Sequence, residues 1–333
     1  MEEGLEATCP ICHQPMARTQ AHADETTVAL LGDGFLNPAN PLHLAAMDGI
    51  SCTFCHQITE ENLGEPASFS GNYVIDTVVE KPERLLYGKY PNPAAITMDD
   101  YKPQQGLHEE DSGICAVCHE QHVTPTDAEG NAMPISHPEQ KPYAEWENSI
   151  YGNGDGYDDE TCQDCHMPVI EGAVNLTNDA DNPRTDLKKH TFEGGNTMIL
   201  AMFRDHADDL GVTATADQMN ESIALTQTLL QNETAELTID KAQIINGIAN
   251  IDIAINNLVG HKFPTGVPFR RAWVHLKVTD LFGNIQFESG KPLPTGQIMG
   301  NAADFDLSAY EPHYDLITQE NQVQIYEPIT KGP

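Results

Sequence analysis

The sequence predicts two unlike regions in one chain. Residues 1 to about 205 should form loops and short helices that cannot close an ordinary core, and the rest should end in a small antiparallel β domain of sandwich type. Three observations predict this. The first region is dense in Pro, Gly, Asn and Asp, and its apolar periodicity is short and interrupted. Beyond residue 206 two helical patterns lead into segments that alternate apolar and polar. Finally, the figure C-x-x-C-H occurs four times in the first region and uses all eight cysteines of the chain.

Those cysteines are Cys9 and Cys12, Cys52 and Cys55, Cys115 and Cys118, and Cys162 and Cys165, followed by His13, His56, His119 and His166. Three chemistries compete for such pairs. A C-x-x-C disulfide belongs to a thioredoxin-like βαβ pattern, which surrounds none of them. Zinc needs two pairs brought together, or a pair with spaced histidines, and leaves the histidine behind every second cysteine unexplained. Covalent haem explains each element: two thioethers hold the porphyrin edge, and the next residue lies beneath the ring as an iron ligand. Four haems c are therefore expected, with the four motif histidines as proximal ligands, and they supply the apolar core that the loops lack. Because the attachment thiols belong outside the reducing cytoplasm, the protein is expected to be exported. The first motif begins at Cys9, which leaves no room for a signal peptide, so one is absent or already removed.

The sixth ligand decides the chemistry, since an open position admits substrate and a second histidine lowers the potential. Ten of the 14 histidines remain for four irons, which points to bis-histidine haems. His22, His43, His108, His190 and His261 are the distal candidates. His43 and His108 precede the second and third motifs on short helical stretches, and His22 follows the first. His190 and His261 lie in "KKHTFEGGN" and "GHKFPTG", where glycine permits close approach to a ring face. His122, His137, His206, His275 and His313 read as ordinary surface or hydrogen-bonded histidines. Met16 and Met167 share a loop with a proximal ligand and read as packing residues.

The elements follow in order. "KPYAEWENSIYG" reads as an aromatic helix. The acidic "YGNGDGYDDE" resembles part of a calcium loop without its full ligand order, so calcium is weakly supported and a solvated turn is expected. "NTMILAMFRDHADDL" and "ADQMNESIALTQTLLQ" read as helices, and "AELTID", "ANIDIAINNLV", "RAWVHLKVTDL" and "NIQFESG" as strands. Residues 1–205 are thus the tetrahaem domain, and 206–333 a helical linker and β domain for scaffold or assembly. Sequons at Asn175, Asn220 and Asn232 permit glycosylation in an exported chain.

Lys and Arg total 17 against 51 Asp and Glu, a formal charge of −34. That argues against nucleic acid, which is bound by releasing counterions to basic groups, and against an anionic membrane. The chain has no apolar run long enough to span a bilayer.

The stretches "HLAAMDGISCTFCHQIT", "CQDCHMP", "HTFEGGN" and "GHKFPTGVPFRRAWVHLKV" resemble the exported multihaem c-type cytochromes of respiring bacteria and archaea. Four haems followed by a β domain resemble, more narrowly, the tetrahaem subunits of extracellular cytochrome filaments. The resemblance implies four stacked bis-histidine haems, head-to-tail copies of the chain as partners, and a histidine that can cross a subunit boundary. It favours His43, His108, His190 and His261 as distal ligands, with His22 close behind. In such proteins the β region often runs further than "YEPITKGP", which bears on whether this one is complete.

The function expected is electron transfer with no catalysis, as a cell-surface filament or else as a periplasmic shuttle. Redox proteins or extracellular acceptors would be its other partners. The rival class is a reductase of a small oxyanion, which would need an open haem and basic side chains. Arg270 and Arg271 are the only adjacent arginines. A third reading, a binding protein merely stapled by haem, makes four covalent cofactors excessive.

Overall fold

The computed structural model describes residues 2–91, 100–127, 129–176, 183–306, 308–309 and 313–328. Thr177, which completes the sequon at Asn175, lies outside them. The chain divides into two compact units, Met1–Gly260 and His261–Pro333.

In the first unit, α1 (Glu2–His13) ends on the first motif. Proline opens α2 (Pro15–Ala23), its fixed φ suiting a first helical turn. α3 (His43–Met47) packs on α2 through buried Ala17, Ala21, Phe35 and Ala46, side chains small enough for two short helices to approach closely. The second motif sits on α4 (Cys52–Cys55), whose first turn is capped by Ser51 Oγ accepting from the Phe54 N–H at 3.3 Å. Strands β1 (Leu85–Gly88) and β2 (Lys102–Gln105) pair in parallel, and a 3-10 turn at Leu107–Glu110 leads to α5 (Gly113–His119), which carries the third motif. The antiparallel pair β3 (Gln121–Val123) and β4 (His137–Gln140) is followed by α6 (Pro142–Glu147) within the stretch read as aromatic and helical. The fourth motif occupies α7 (Cys162–His166), fixed by a capping box between Thr161 and Asp164.

Three helices then follow: α8 (Thr197–Asp205), α9 (Ala207–Leu210) and α10 (Ala216–Asn232). The segment read as one helix is broken at His206, and Gly211 in the left-handed region ends it. α10 leads into a long antiparallel ribbon, β5 (Ala235–Ile245) and β6 (Ile248–Asn257). This ribbon was expected in the C-terminal domain, but the division between units falls after it, at Gly260.

The second unit pairs β7 (Ala272–Trp273) with β10 (Ile325–Tyr326), and β8 (Leu276–Thr279) with β9 (Ile285–Ser289). Its strands form two-stranded pieces among the described residues, where the alternating pattern suggested the broader sheets of a sandwich. A small core of Ile298, Val323 and Ile325 holds it, beside a two-pronged contact of Arg271 with Asp304.

The polypeptide's own packing is thin. It exposes 21455 Å². Surface-to-size scaling gives about 13,000–16,000 Å² for one or two compact bodies of this mass.

Candidate cofactor site

Each motif occupies the end of a short helix, and this explains its spacing. Helical residues i, i+3 and i+4 share a face. Both cysteines and the histidine of each motif therefore emerge on one side, and at least one of the two residues between them points back into the protein. Pro10, Phe54, Ala116, Val117 and Gln163 are buried, whereas Cys52, Asp164, Cys165, His13 and His119 are exposed and the other motif residues half-buried. All eight thiols are free of disulfides. The four sites thus present Cys–Cys–His faces supported from behind.

The imidazoles are oriented by their Nδ1 atoms. His56 Nδ1 donates to the Tyr87 carbonyl at 2.7 Å, and His166 Nδ1 to that of Glu193. His119 Nδ1 faces Gln140 Oε1 at 3.3 Å. Among the distal candidates, His43 Nδ1 donates to Phe35 O at 2.9 Å, His190 Nδ1 to Lys188 O at 3.2 Å and His261 Nδ1 to Lys262 O at 3.0 Å. A carbonyl on Nδ1 fixes the tautomer and turns Nε2 outward, as a metal-binding imidazole requires.

The residues at the second motif also meet a distance test. The rings of His56 and His190 lie close together, with centroids 6.2 Å apart and planes tilted by 35°. Metal–imidazole bonds are about 2 Å and a ring centre lies roughly 1 Å beyond its nitrogen, so two imidazoles facing one iron have centres about 6 Å apart. His56, on α4, and His190, more than 130 residues later, are thus spaced to share one iron. Cys52 and Cys55 would hold the porphyrin edge there. Zinc fits less well: among the described residues no three His, Cys, Asp or Glu side chains converge on a point that could hold a metal ion. That statement covers the acidic residues 155–160 too.

The remaining histidines differ. His22 is exposed at the mouth of a 190 Å³ hollow lined by Arg18, Thr19, Tyr73 and Thr77, and slight burial and Arg18 lower its pKa. His108 turns Nε2, not Nδ1, to a carbonyl, that of Ile58 at 2.9 Å, and packs edge-on against Tyr87. Chain order is no guide to these neighbours: α3, which carries His43, packs on α2, which follows the first motif, and His108 abuts the surroundings of the second. The histidines read as ordinary have protein partners: His122 with Glu120, His275 with Glu288, and His313 stacked edge-on to Tyr326.

The sulfurs have distinct environments. Burial pushes the Cys55 thiol up to about 11, and burial with the adjacent Glu160 carboxylate pushes Cys165 up to about 12. A hydrogen bond shared with Cys115 holds Cys162 at about 7 and drives Cys115 upward. Cys12 and Cys118 pair similarly, Cys12 lowered and Cys118 raised. The His119 ring opens to solvent, yet it lies in a crowded part of the unit and its pKa is lowered by desolvation.

Sequence reasoning overlooked the backbone carbonyls of Tyr87 and Glu193, which no residue type signals, and one side chain. The Glu109 side chain is 9% exposed, with Oε1 lacking a hydrogen bond though 3.8 Å from His108 Nε2, Oε2 3.5 Å from His56 Nδ1, and a carboxyl that burial raises to about 8. Its place beside His108 in "GLHEEDSGIC" was the available signal. No family model matches the chain, and no curated protein or solved structure shows significant similarity to it.

Proposed function

We propose that this chain transfers electrons through four covalently bound haems c with histidine on both faces of the iron. The observation that carries the reading is the pair His56 and His190, 6.2 Å between centroids, where His56 belongs to the second C-x-x-C-H motif. Cys9, Cys12, Cys52, Cys55, Cys115, Cys118, Cys162 and Cys165 would hold the groups, and His13, His56, His119 and His166 would be proximal ligands. His22, His43, His108, His190 and His261 are the proposed distal set, His108 with the least open surroundings. Such haems supply one-electron exchange at a coordinatively full iron of low potential. The chain's part is to orient: Tyr87 O and Glu193 O hold their imidazoles and raise ligand basicity.

The proposed setting is an exported protein working as a subunit of an extracellular filament, with copies of itself as partners and redox proteins or external acceptors at its ends. Support for the polymer is the resemblance alone. A head-to-tail contact that does not close on itself would build it. A soluble periplasmic shuttle remains the second reading. The oxyanion reductase is disfavoured by one feature: Arg271 contacts Asp304 and the Gly296 carbonyl, and Arg270 donates to Thr265 O. The basic pair is thus engaged within its own unit.

The test is an absorption and EPR spectrum of the isolated haem-loaded protein, with electron microscopy of the same sample. Only six-coordinate low-spin haem is expected, in regular filaments. A high-spin, ligand-accessible haem would return the reductase reading, and discrete particles would return the shuttle.

A further inference from the structure

The four motifs are not arranged in the order of the chain. We infer that the third motif is the junction of the array, the nearest neighbour of each of the other three. This rests on the haem reading above.

The first motif reaches the third through packing. Ile11 packs into the apolar cluster that contains Val117, and Cys118 lies against the same cluster. The segment through Gly71 fastens this contact, its N–H donating to the Val117 carbonyl at 2.6 Å. Gly71 has φ 79°, and a Cβ there would lie 1.7 Å from Ile11 Cγ2, so the close approach requires glycine. The second motif joins the same cluster: Phe54, between Cys52 and Cys55, is buried there with Val117, and Cys55 and Cys118 pack against it. The fourth motif docks on the start of α5. The Cys162 N–H donates to Ser112 Oγ at 3.0 Å. Buried Gln163 donates to the carbonyls of Glu109 at 3.2 Å and Asp111 at 2.9 Å.

The third motif therefore meets each of the others: α5 shares its apolar cluster with Ile11 of the first and Phe54 of the second, and Ser112 with the turn before it holds Cys162 and Gln163 of the fourth. Porphyrin edges would begin at these helices, so contact between motifs brings edges together. Transfer between any two outer sites would then pass through the third.

The test is a single-particle electron microscopy structure of the haem-loaded protein, with intact mass measured on the same sample. The result expected is four haems, with the iron at His119 nearest to each of the irons at His13, His56 and His166. Four haems with any outer iron nearer to another outer iron would overturn the junction while leaving the haem reading intact. A mass showing no covalent haem would overturn both.

Discussion

The unit before Gly260 and the unit after it spend their buried residues differently. In the second, Ile298, Val323 and Ile325 pack on one another, and Arg271 contacts Asp304; none of these side chains serves a motif. In the first, the largest cluster is built from Phe54, Ile58, Tyr73 and Val117, with Ile11, Ile114, Cys55 and Cys118 against it. Three of those residues lie between motif cysteines. The apolar packing of the first unit is therefore the backing of its Cys–Cys–His faces, and much of the remaining apolar surface is on the outside. The second unit packs its core on itself, whereas the first turns its largest cluster toward the backs of its motifs.

The largest expected effect breaks that comparison from the first side. Replacing Cys115 and Cys118 by serine removes covalent attachment at the junction. Hydrogen exchange should then show loss of protection through α4, α5 and α7, with β8 and β9 protected as before. Equal protection in both units would mean that the first does not depend on its cofactors. Next in size is Phe54→Ala. It empties the place where Phe54 meets Tyr73 edge-on, with centroids 4.7 Å apart. Truncating a buried Phe costs about 3–5 kcal/mol, and the loss should appear as a lower melting temperature of the first unit.

A sharper and smaller change is His190→Ala. It should convert one haem in four to a form that binds carbon monoxide, read as a partial high-spin signal and a fractional shift of the Soret band. His122→Ala should leave the spectrum unchanged, because His122 is engaged by Glu120 and Ser136. A low-spin spectrum in H190A would move the sixth ligand elsewhere.

The same contrast explains what was legible in the sequence. The four C-x-x-C-H figures were legible because a repeated residue type at a repeated spacing shows in a single sequence, and a single helical turn carries that spacing. The helix at Ala216–Asn232 was legible because Thr215 and Gln218 form a capping box ahead of a periodic apolar pattern. What could not be read was everything set by three-dimensional return of the chain. His56 and His190 meet across more than 130 residues, α3 packs back on α2, and Tyr87 acts through its carbonyl. The β5–β6 ribbon was read as strands, and the division at Gly260 leaves it in the first unit, since alternation reports a local period and not the body it joins.

The smallest expected effect tests the self-sufficiency of the second unit. Burial alone would push the Asp304 carboxyl up, but the Arg271 guanidinium and the Ile298 N–H at 2.6 Å more than offset this and hold it below the usual carboxylate range. A carboxylate depressed in the folded state stabilises above its unfolded value, near pH 4, and that contribution disappears as pH falls through the lower folded value. The second unit should therefore weaken below about pH 4. Asp304→Asn should weaken it at neutral pH and flatten that acid dependence. Arg271 is a quarter exposed, so solvent screening limits the loss to about 1–2 kcal/mol. Urea unfolding of the haem-loaded protein at pH 3 and pH 7, followed by the fluorescence of Trp273, measures it. Trp273 is a local reporter because its Nε1 donates to the Gly290 carbonyl at 2.9 Å. An unchanged acid slope in D304N would show that the unit rests on its three apolar side chains, with the ion pair only ornamenting the surface.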